Sequence, residues 1–382
     1  MDLTGTAFFL LLIGISASAF VAAVILLPRM VGHWWWVVVR GTCLLLVNAL
    51  VVLTAVVGLN RTYGWYSSWA DLMGDQGTQE VHVSGAAPVQ AAAAVVKGPG
   101  FAAFPTRKGP LPALAQPGER LQNYTITGPE SRATGPIQVY LPASYERDAP
   151  KGRTYPVIFA FHGFPTGPEG WTRAMKLPQE IDAAVAKKHL AESVVVVPQI
   201  NIPRKIDTEC VNGPAPGQPQ METWLARDVP KWVLQNFSVK RERGSWATIG
   251  YSLGAWCSAV IGVLHHDIFG ASVSLGGYYQ PDFGSAYVPF TEGSPGWKKY
   301  DLVALVDKDP PPMAMWVQSG SDDRFLGSTQ KFLAAGRPPL SLTSVILPGA
   351  GHRVEVWMSL MPQALAWIGQ LPGFSATVGE SH

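Results

Sequence analysis

Charge is scarce in this chain. Asp, Glu, Lys and Arg make up 15% of its 382 residues, against roughly 25% in soluble proteins, and the mean hydropathy is positive at +0.14. Such a balance implies that part of the chain is made for lipid. The formal net charge of only +2, with no run of Lys or Arg, argues against a nucleic-acid surface. Cysteine is scarcer still. Cys43, Cys210 and Cys257 are the only three, and no C-x-x-C spacing occurs, which argues against a zinc or thioredoxin-like site. No internal repeat is visible.

Long apolar runs, by contrast, are present. Residues 3–28, "LTGTAFFLLLIGISASAFVAAVILLP", carry no charge and are closed by Arg29. About 20 apolar residues span a bilayer. A signal peptide fits less well, because the preceding residues hold Asp2 and no cation and the run exceeds the usual 7–15 residues or so. A second charge-free run, "GTCLLLVNALVVLTAVVGLN", covers residues 41–60 and follows "HWWWVVVR". Tryptophan rings favour the membrane interface, and Arg40 can snorkel toward it. Residues 1–61 are thus expected to form a transmembrane helical hairpin. Its connection carries Arg29 and Arg40, and its outer flanks carry Asp2 and Arg61, so the positive-inside rule puts the connection in the cytoplasm and both termini outside. The alternative is a buried hairpin in a soluble protein, but charge-free runs of this length cost solubility.

Residues 62–119 follow as a juxtamembrane segment, including most of "RTYGWYSSW", and an Ala/Pro/Gly-rich stretch over 86–118 that reads as a linker or stalk. From 120 to 375 the texture is globular. Apolar or β-branched runs such as "YPVIFAFHG", "SVVVVPQI", "GASVSLGG", "MAMWVQSG" and "LTSVILPG" alternate with helical patterns such as "METWLARDVPKWVLQNF". This alternation predicts an α/β fold with a mostly parallel sheet covered on both faces. Sites in such sheets lie at the carboxyl ends of the strands.

Within "TIGYSLGAW", Gly250, Ser252 and Gly254 spell G-x-S-x-G. A serine hydroxyl is a weak nucleophile that needs a base and an acid to orient that base. Small flanking residues let such a serine sit on a sharp strand–turn–helix elbow, and here an apolar strand precedes Ser252 and a helical pattern follows. The alternative is a merely structural glycine turn. With the order Ser, acid, His, His352 in "LPGAGHRVEVW" is the candidate base. His265 and His266 are on the outgoing helix, and His382 is terminal. "MWVQSGSDDRFL" offers Asp322 and Asp323 as the acid. Backbone N–H groups of Leu253 and, from "FHGFPTGPEGW", Phe164 are candidate oxyanion donors, and His162 reads as structural. No metal or cofactor is required by this chemistry.

The set "FHGF…W", "GYSLGAWC", "SGSDDRFL" and "LPGAGHRVEVW" resembles the esterase D family of α/β-hydrolases, relatives of feruloyl esterases, S-formylglutathione hydrolases and mycobacterial mycolyltransferases. The likeness covers roughly residues 120–372. Its G-x-x-D-x-F pattern falls on Gly320, Asp323 and Phe325, which implies Asp323 as the acid. Ala255 departs from the glycine that relatives often carry. The hairpin and stalk resemble membrane-anchored actinobacterial members. The resemblance implies an α/β-hydrolase fold and a serine esterase but does not fix the substrate; the hairpin and its arginines imply a membrane-anchored, extracytoplasmic enzyme, and anchoring implies an acyl, lipid or envelope-linked ester. Alternatives are mycolyltransferase-like transfer of the acyl group to a sugar hydroxyl and a non-catalytic envelope-binding domain.

Two further expectations come from the residues. Export favours disulfides, and the Pro/Gly-rich loop "TECVNGPAPG" can cross above the elbow helix, so a Cys210–Cys257 bond is expected; the alternative is two unpaired, separately buried thiols. The stretch 276–300, "GGYYQPDFGSAYVPFTEGSPGWKKY", suits either a loop flanking an apolar cleft or an aromatic loop packed on the body.

Overall fold

The computed structural model describes residues 3–63, 65–66, 68–74, 80–85 and 87–376. Asp2 and His382 lie outside them. The chain divides into two compact units. The first comprises residues 1–78 together with 320–324 and 347–353. The second comprises 79–319, 325–346 and 354–382.

In the first unit the two apolar runs are helices, α1 (Thr6–Leu26) and α2 (Trp35–Tyr63). They pair antiparallel. The Ser16 hydroxyl lies 2.9 Å from that of Thr54, and Arg61 donates to the Thr6 hydroxyl at 3.0 Å with its guanidinium over the Phe9 ring. Segments Thr6–Arg29 and Trp35–Arg61 are long and apolar enough to cross a membrane, with mean hydropathies of 2.7 and 2.5. Leu10, Val37 and Leu45 are turned outward, so the apolar surface of the pair is external. After α2 the Asn60 side chain closes the turn, accepting from the Tyr66 N–H and donating to the Tyr66 carbonyl, each at 2.8 Å. The Ser68 hydroxyl then accepts from the Asp71 N–H at 3.1 Å, starting the short helix α3 (Trp69–Leu72) as a cap does.

The second unit is built on a sheet of nine strands: β1 (Glu80–Gly85), β2 (Leu121–Thr127), β3 (Thr134–Tyr140), β4 (Val157–Phe161), β5 (Val194–Pro198), β6 (Trp246–Tyr251), β7 (Ala271–Leu275), β8 (Ala314–Gly320) and β9 (Ser341–Leu347). Their order is β1-β9-β8-β7-β6-β4-β5-β3-β2. β5, β4, β6, β7 and β8 run parallel, whereas β2 and β3 pair antiparallel at one edge and β1 runs antiparallel to β9 at the other. The parallel strands are buried along their whole length, which is why they read as unbroken apolar runs and not as alternation. β2, with one face solvated, alternates instead.

Residues 80–85, ahead of the stretch read as a linker or stalk, are a strand of the sheet, and within that stretch residues 87–104 are laid against the rest of the second unit. Arg243 donates to the carbonyls of Ala92 at 2.8 Å and Ala94 at 2.9 Å. Arg241 donates to those of Phe101 and Phe104 at 2.9 and 2.8 Å. The Phe101 ring meets Trp246 edge-on at 5.1 Å. A segment poor in side-chain polarity is thereby held through its peptide carbonyls, which two guanidinium groups satisfy.

The predicted disulfide is present. Cys210 and Cys257 are joined with Cα atoms 5.6 Å apart, 47 residues apart in the chain. Closing a loop of that length restricts the unfolded chain by about 4 kcal/mol in the chain-entropy view. The double variant Cys210→Ser/Cys257→Ser should therefore lose about 4 kcal/mol of unfolding free energy in urea. A loss under about 1 kcal/mol would show that the bond constrains little.

Candidate active site

Ser252 sits between β6 and the helix Leu253–Leu264 with φ 55° and ψ −125°, a left-handed conformation that costs a non-glycine residue about 1–3 kcal/mol. The glycines around it are dictated by close backbone approach. A Cβ on Gly250 would lie 1.8 Å from the Gly254 carbonyl oxygen, and one on Gly254 would lie 2.0 Å from the Phe161 carbonyl oxygen at the end of β4. The Ser252 N–H donates to the Leu275 carbonyl at 3.0 Å, which ties the turn to β7. G-x-S-x-G is therefore the pattern that lets the helix fold back over β6 with the serine at the apex. Leu253 opens that helix, whose first N–H groups have no acceptor within it and carry the positive end of its dipole.

The loop after β4 approaches the same turn. A Cβ on Gly163 would lie 2.8 Å from the Tyr251 ring and 3.4 Å from the Ser252 Cβ, so the Phe164 segment passes beside the serine. The Thr166 hydroxyl donates to the Gly163 carbonyl at 2.7 Å. His162, read as structural, is fully buried. Its Nδ1 lies 2.9 Å from the Gly163 carbonyl and its Nε2 accepts from the Ile200 N–H at 3.3 Å. Burial pushes its pKa down to about 4, so the ring is a neutral brace between two loops.

In the first unit the loops after β8 and β9 are zipped together. The Ser321 N–H donates to the Leu347 carbonyl at 2.8 Å and the Asp322 N–H to the Ala350 carbonyl at 3.2 Å, while the Gly349 N–H donates to the Ser321 hydroxyl at 2.8 Å. Gly320 permits this, since a Cβ there would lie 1.9 Å from the Ala350 carbonyl oxygen. The result is a buried pair: His352 Nδ1 is 2.9 Å from Asp323 Oδ2. Asp322 is exposed and accepts from the Ser321 hydroxyl at 2.9 Å. Of the two aspartates, it is Asp323 whose carboxylate reaches the imidazole. Of the other histidines that follow Ser252, His265 is engaged with Glu222 at 3.1 Å and His266 with the Val263 carbonyl at 2.9 Å.

The disulfide docks the loop around Cys210 on the elbow helix. Trp256 Nε1 donates to the Glu209 carbonyl at 2.8 Å, and the Tyr278 ring stacks on Trp256 at 5.4 Å. Much of the aromatic stretch 276–300 is packed inward. Tyr278, Tyr279, Trp297 and Tyr300 are buried, and Tyr279 stacks on Phe332 at 4.1 Å. Of the two expectations for this stretch, packing on the body accounts for these four rings.

The model of the family described as "Putative esterase" matches residues 132–368. The chain belongs to that family. Solved structures agree on the fold of this esterase-family chain. A ferulic acid esterase aligns with a TM-score of 0.56 at 20% identity over 65% of this chain and 97% of its own. An S-formylglutathione hydrolase from Agrobacterium tumefaciens aligns at 0.55 and 15% identity over 65% and 94%. A fluorophosphonate-binding serine hydrolase from Staphylococcus aureus aligns at 0.52 and 15% identity over 65% and 97%. No curated protein sequence matches the chain.

Sequence reasoning missed one partner of this site's neighbourhood: Arg353, next to His352, is buried and paired with Asp71. A lone arginine after the histidine box carries no signal of a partner so far back in the chain.

The buried His162 ring supplies a pH test. Its folded pKa, about 4, lies below the unfolded value near 6.5, so the unfolded chain binds more protons between the two. Stability from this group is thus complete above about pH 6.5 and is lost as pH falls toward 4. Melting temperatures measured from pH 7 to pH 4 should fall more steeply for the native chain than for His162→Gln. Equal slopes would show that the ring does not brace the loop in its neutral form.

Proposed function

We propose that this chain is a membrane-anchored serine esterase. Ser252 Oγ attacks the carbonyl carbon of a carboxylic ester while His352 Nε2 takes the hydroxyl proton. The alcohol leaves with that proton, and an acyl group remains on Ser252. Water then adds through the same base and releases the acid. Asp323 holds the ring through Nδ1 and stabilises the imidazolium. The N–H groups of Leu253 and Phe164 receive the oxyanion. The observation that carries this reading is the conformation of Ser252: φ 55° on a non-glycine residue between strand and helix is strain that a merely structural turn would relieve with glycine. The Asp323–His352 bond supports the same assignment.

Anchoring is supported by the outward apolar faces of α1 and α2, which lipid would cover. An extracytoplasmic position for the catalytic part is supported by Arg29 and Arg40 near the hairpin connection and by the disulfide, since such bonds persist in oxidising compartments. A soluble ester would reach a free enzyme equally well, so the anchor points to a membrane- or wall-linked acyl ester as substrate.

Kinetics on a p-nitrophenyl acyl ester test the assignment. Ser252→Ala and His352→Ala should each lower kcat at least about 10³-fold with folding intact. Asp323→Asn should lose at least about 10²-fold, and Asp322→Asn should stay within about twofold of wild type. An Asp322 variant worse than the Asp323 variant would overturn the acid, and a Ser252→Ala variant with full turnover would overturn the nucleophile.

A further inference from the structure

The histidine loop ends on a buried arginine. Arg353 is 5% exposed and Asp71, in α3, is 1% exposed. Arg353 Nη1 lies 2.5 Å from Asp71 Oδ1. The same guanidinium donates to the carbonyls of Trp65 at 3.3 Å and Asp71 at 3.4 Å and covers the Tyr66 ring at 4.9 Å. All of these residues belong to the first unit. The planar fork of an arginine suits such a cluster of acceptors, and a guanidinium buried this deeply is tolerated only when paired and hydrogen-bonded.

What lies on each side of the pair gives it meaning. Arg353 directly follows His352 in the chain, and His352 bonds Asp323 at 2.9 Å. Asp71 lies a few residues beyond the end of α2, in a segment fixed by Asn60 and the Ser68 cap. The family match begins only at residue 132, so the acidic partner comes from chain outside the family's span. We infer that Asp71 and Arg353 are a positioning pair through which the membrane-proximal segment holds the catalytic histidine in register. This deepens the proposed function and rests on it.

The pair acts through the backbone of residues 352–353. A displaced imidazole would still leave the ester-binding surface intact but would take the serine proton less effectively, and small misplacements of reacting groups cost rate steeply. The loss should thus appear in kcat and not in KM.

The experiment uses the full chain in detergent micelles and a soluble p-nitrophenyl ester. Asp71→Asn should lower kcat about tenfold or more with KM within about twofold, and Asp71→Glu should recover part of the loss. Arg353→Lys keeps the charge but loses the fork, and should show a smaller kcat loss of the same kind. It remains informative if Asp71→Asn folds poorly. Asp182→Asn, which breaks the ion pair with Arg120 at the β3 edge, serves as a destabilised control with kcat unchanged. Wild-type kcat in both Asp71→Asn and Arg353→Lys, or an equal kcat loss in the Asp182 control at a similar fall in melting temperature, would overturn the positioning role. A full chain with no turnover that Ser252→Ala abolishes would overturn the proposed function itself, and this inference with it.

Discussion

The arrangement around the serine rests on one backbone constraint, the approach of the elbow helix to β6 and β4. Gly250 and Gly254 can have no Cβ because carbonyl oxygens occupy that space. With the helix that close, Ser252 takes a positive φ, and its N–H is taken up by β7. The loop after β4 must then carry Gly163, since the Tyr251 ring and the serine fill the space beside it. The strain is local, and the buried sheet on which it is built is large enough to hold it.

Two buried glutamates fix the neighbouring loops by opposite means. At Glu222 burial works to raise the pKa, but hydrogen bonds from His265, Lys299 and Tyr300 outweigh it and hold the group down at about 2. It remains a carboxylate and joins the far end of the elbow helix to the end of the aromatic stretch. Glu209 is buried next to Asp207, and desolvation and that neighbouring charge push its pKa well above the usual range. Its carboxyl receives the Tyr278 hydroxyl and lies 3.3 Å from the Asp282 N–H. A charged group that gathers donors and an acid pushed toward neutrality thus secure the two ends of residues 278–300, while the disulfide secures the loop that carries Glu209. The aromatic residues between them are therefore mostly packing.

What was legible in the sequence followed from local chemistry. The parallel strands, the elbow and the histidine box are each short stretches in which composition and spacing state the geometry. The Cys210–Cys257 pairing was legible because an exported domain favours disulfides and the Pro/Gly-rich loop that carries Cys210 can cross the elbow helix that carries Cys257. Asp323 could be separated from Asp322 only by resemblance, since adjacent aspartates differ in burial and not in type; the carboxylate that reaches His352 settles the geometry. The strap over 87–104 was illegible because its binding partners, Arg241 and Arg243, lie far along the chain. An Ala/Pro-rich segment reads as a linker until donors for its carbonyls are known. β1 and the Asp71–Arg353 pair were missed for the same reason: both are contacts of long sequence separation with no local signature.

The proposed chemistry stands or falls with Ser252 as a nucleophile activated at a strained turn. The most direct measurement is mass spectrometry of peptides from the full-length chain after reaction with a fluorophosphonate. A single phosphonylated serine, Ser252, is expected, with no label once His352 is replaced by alanine. Phosphonylation of another serine, or none at Ser252 in folded chain, would contradict it.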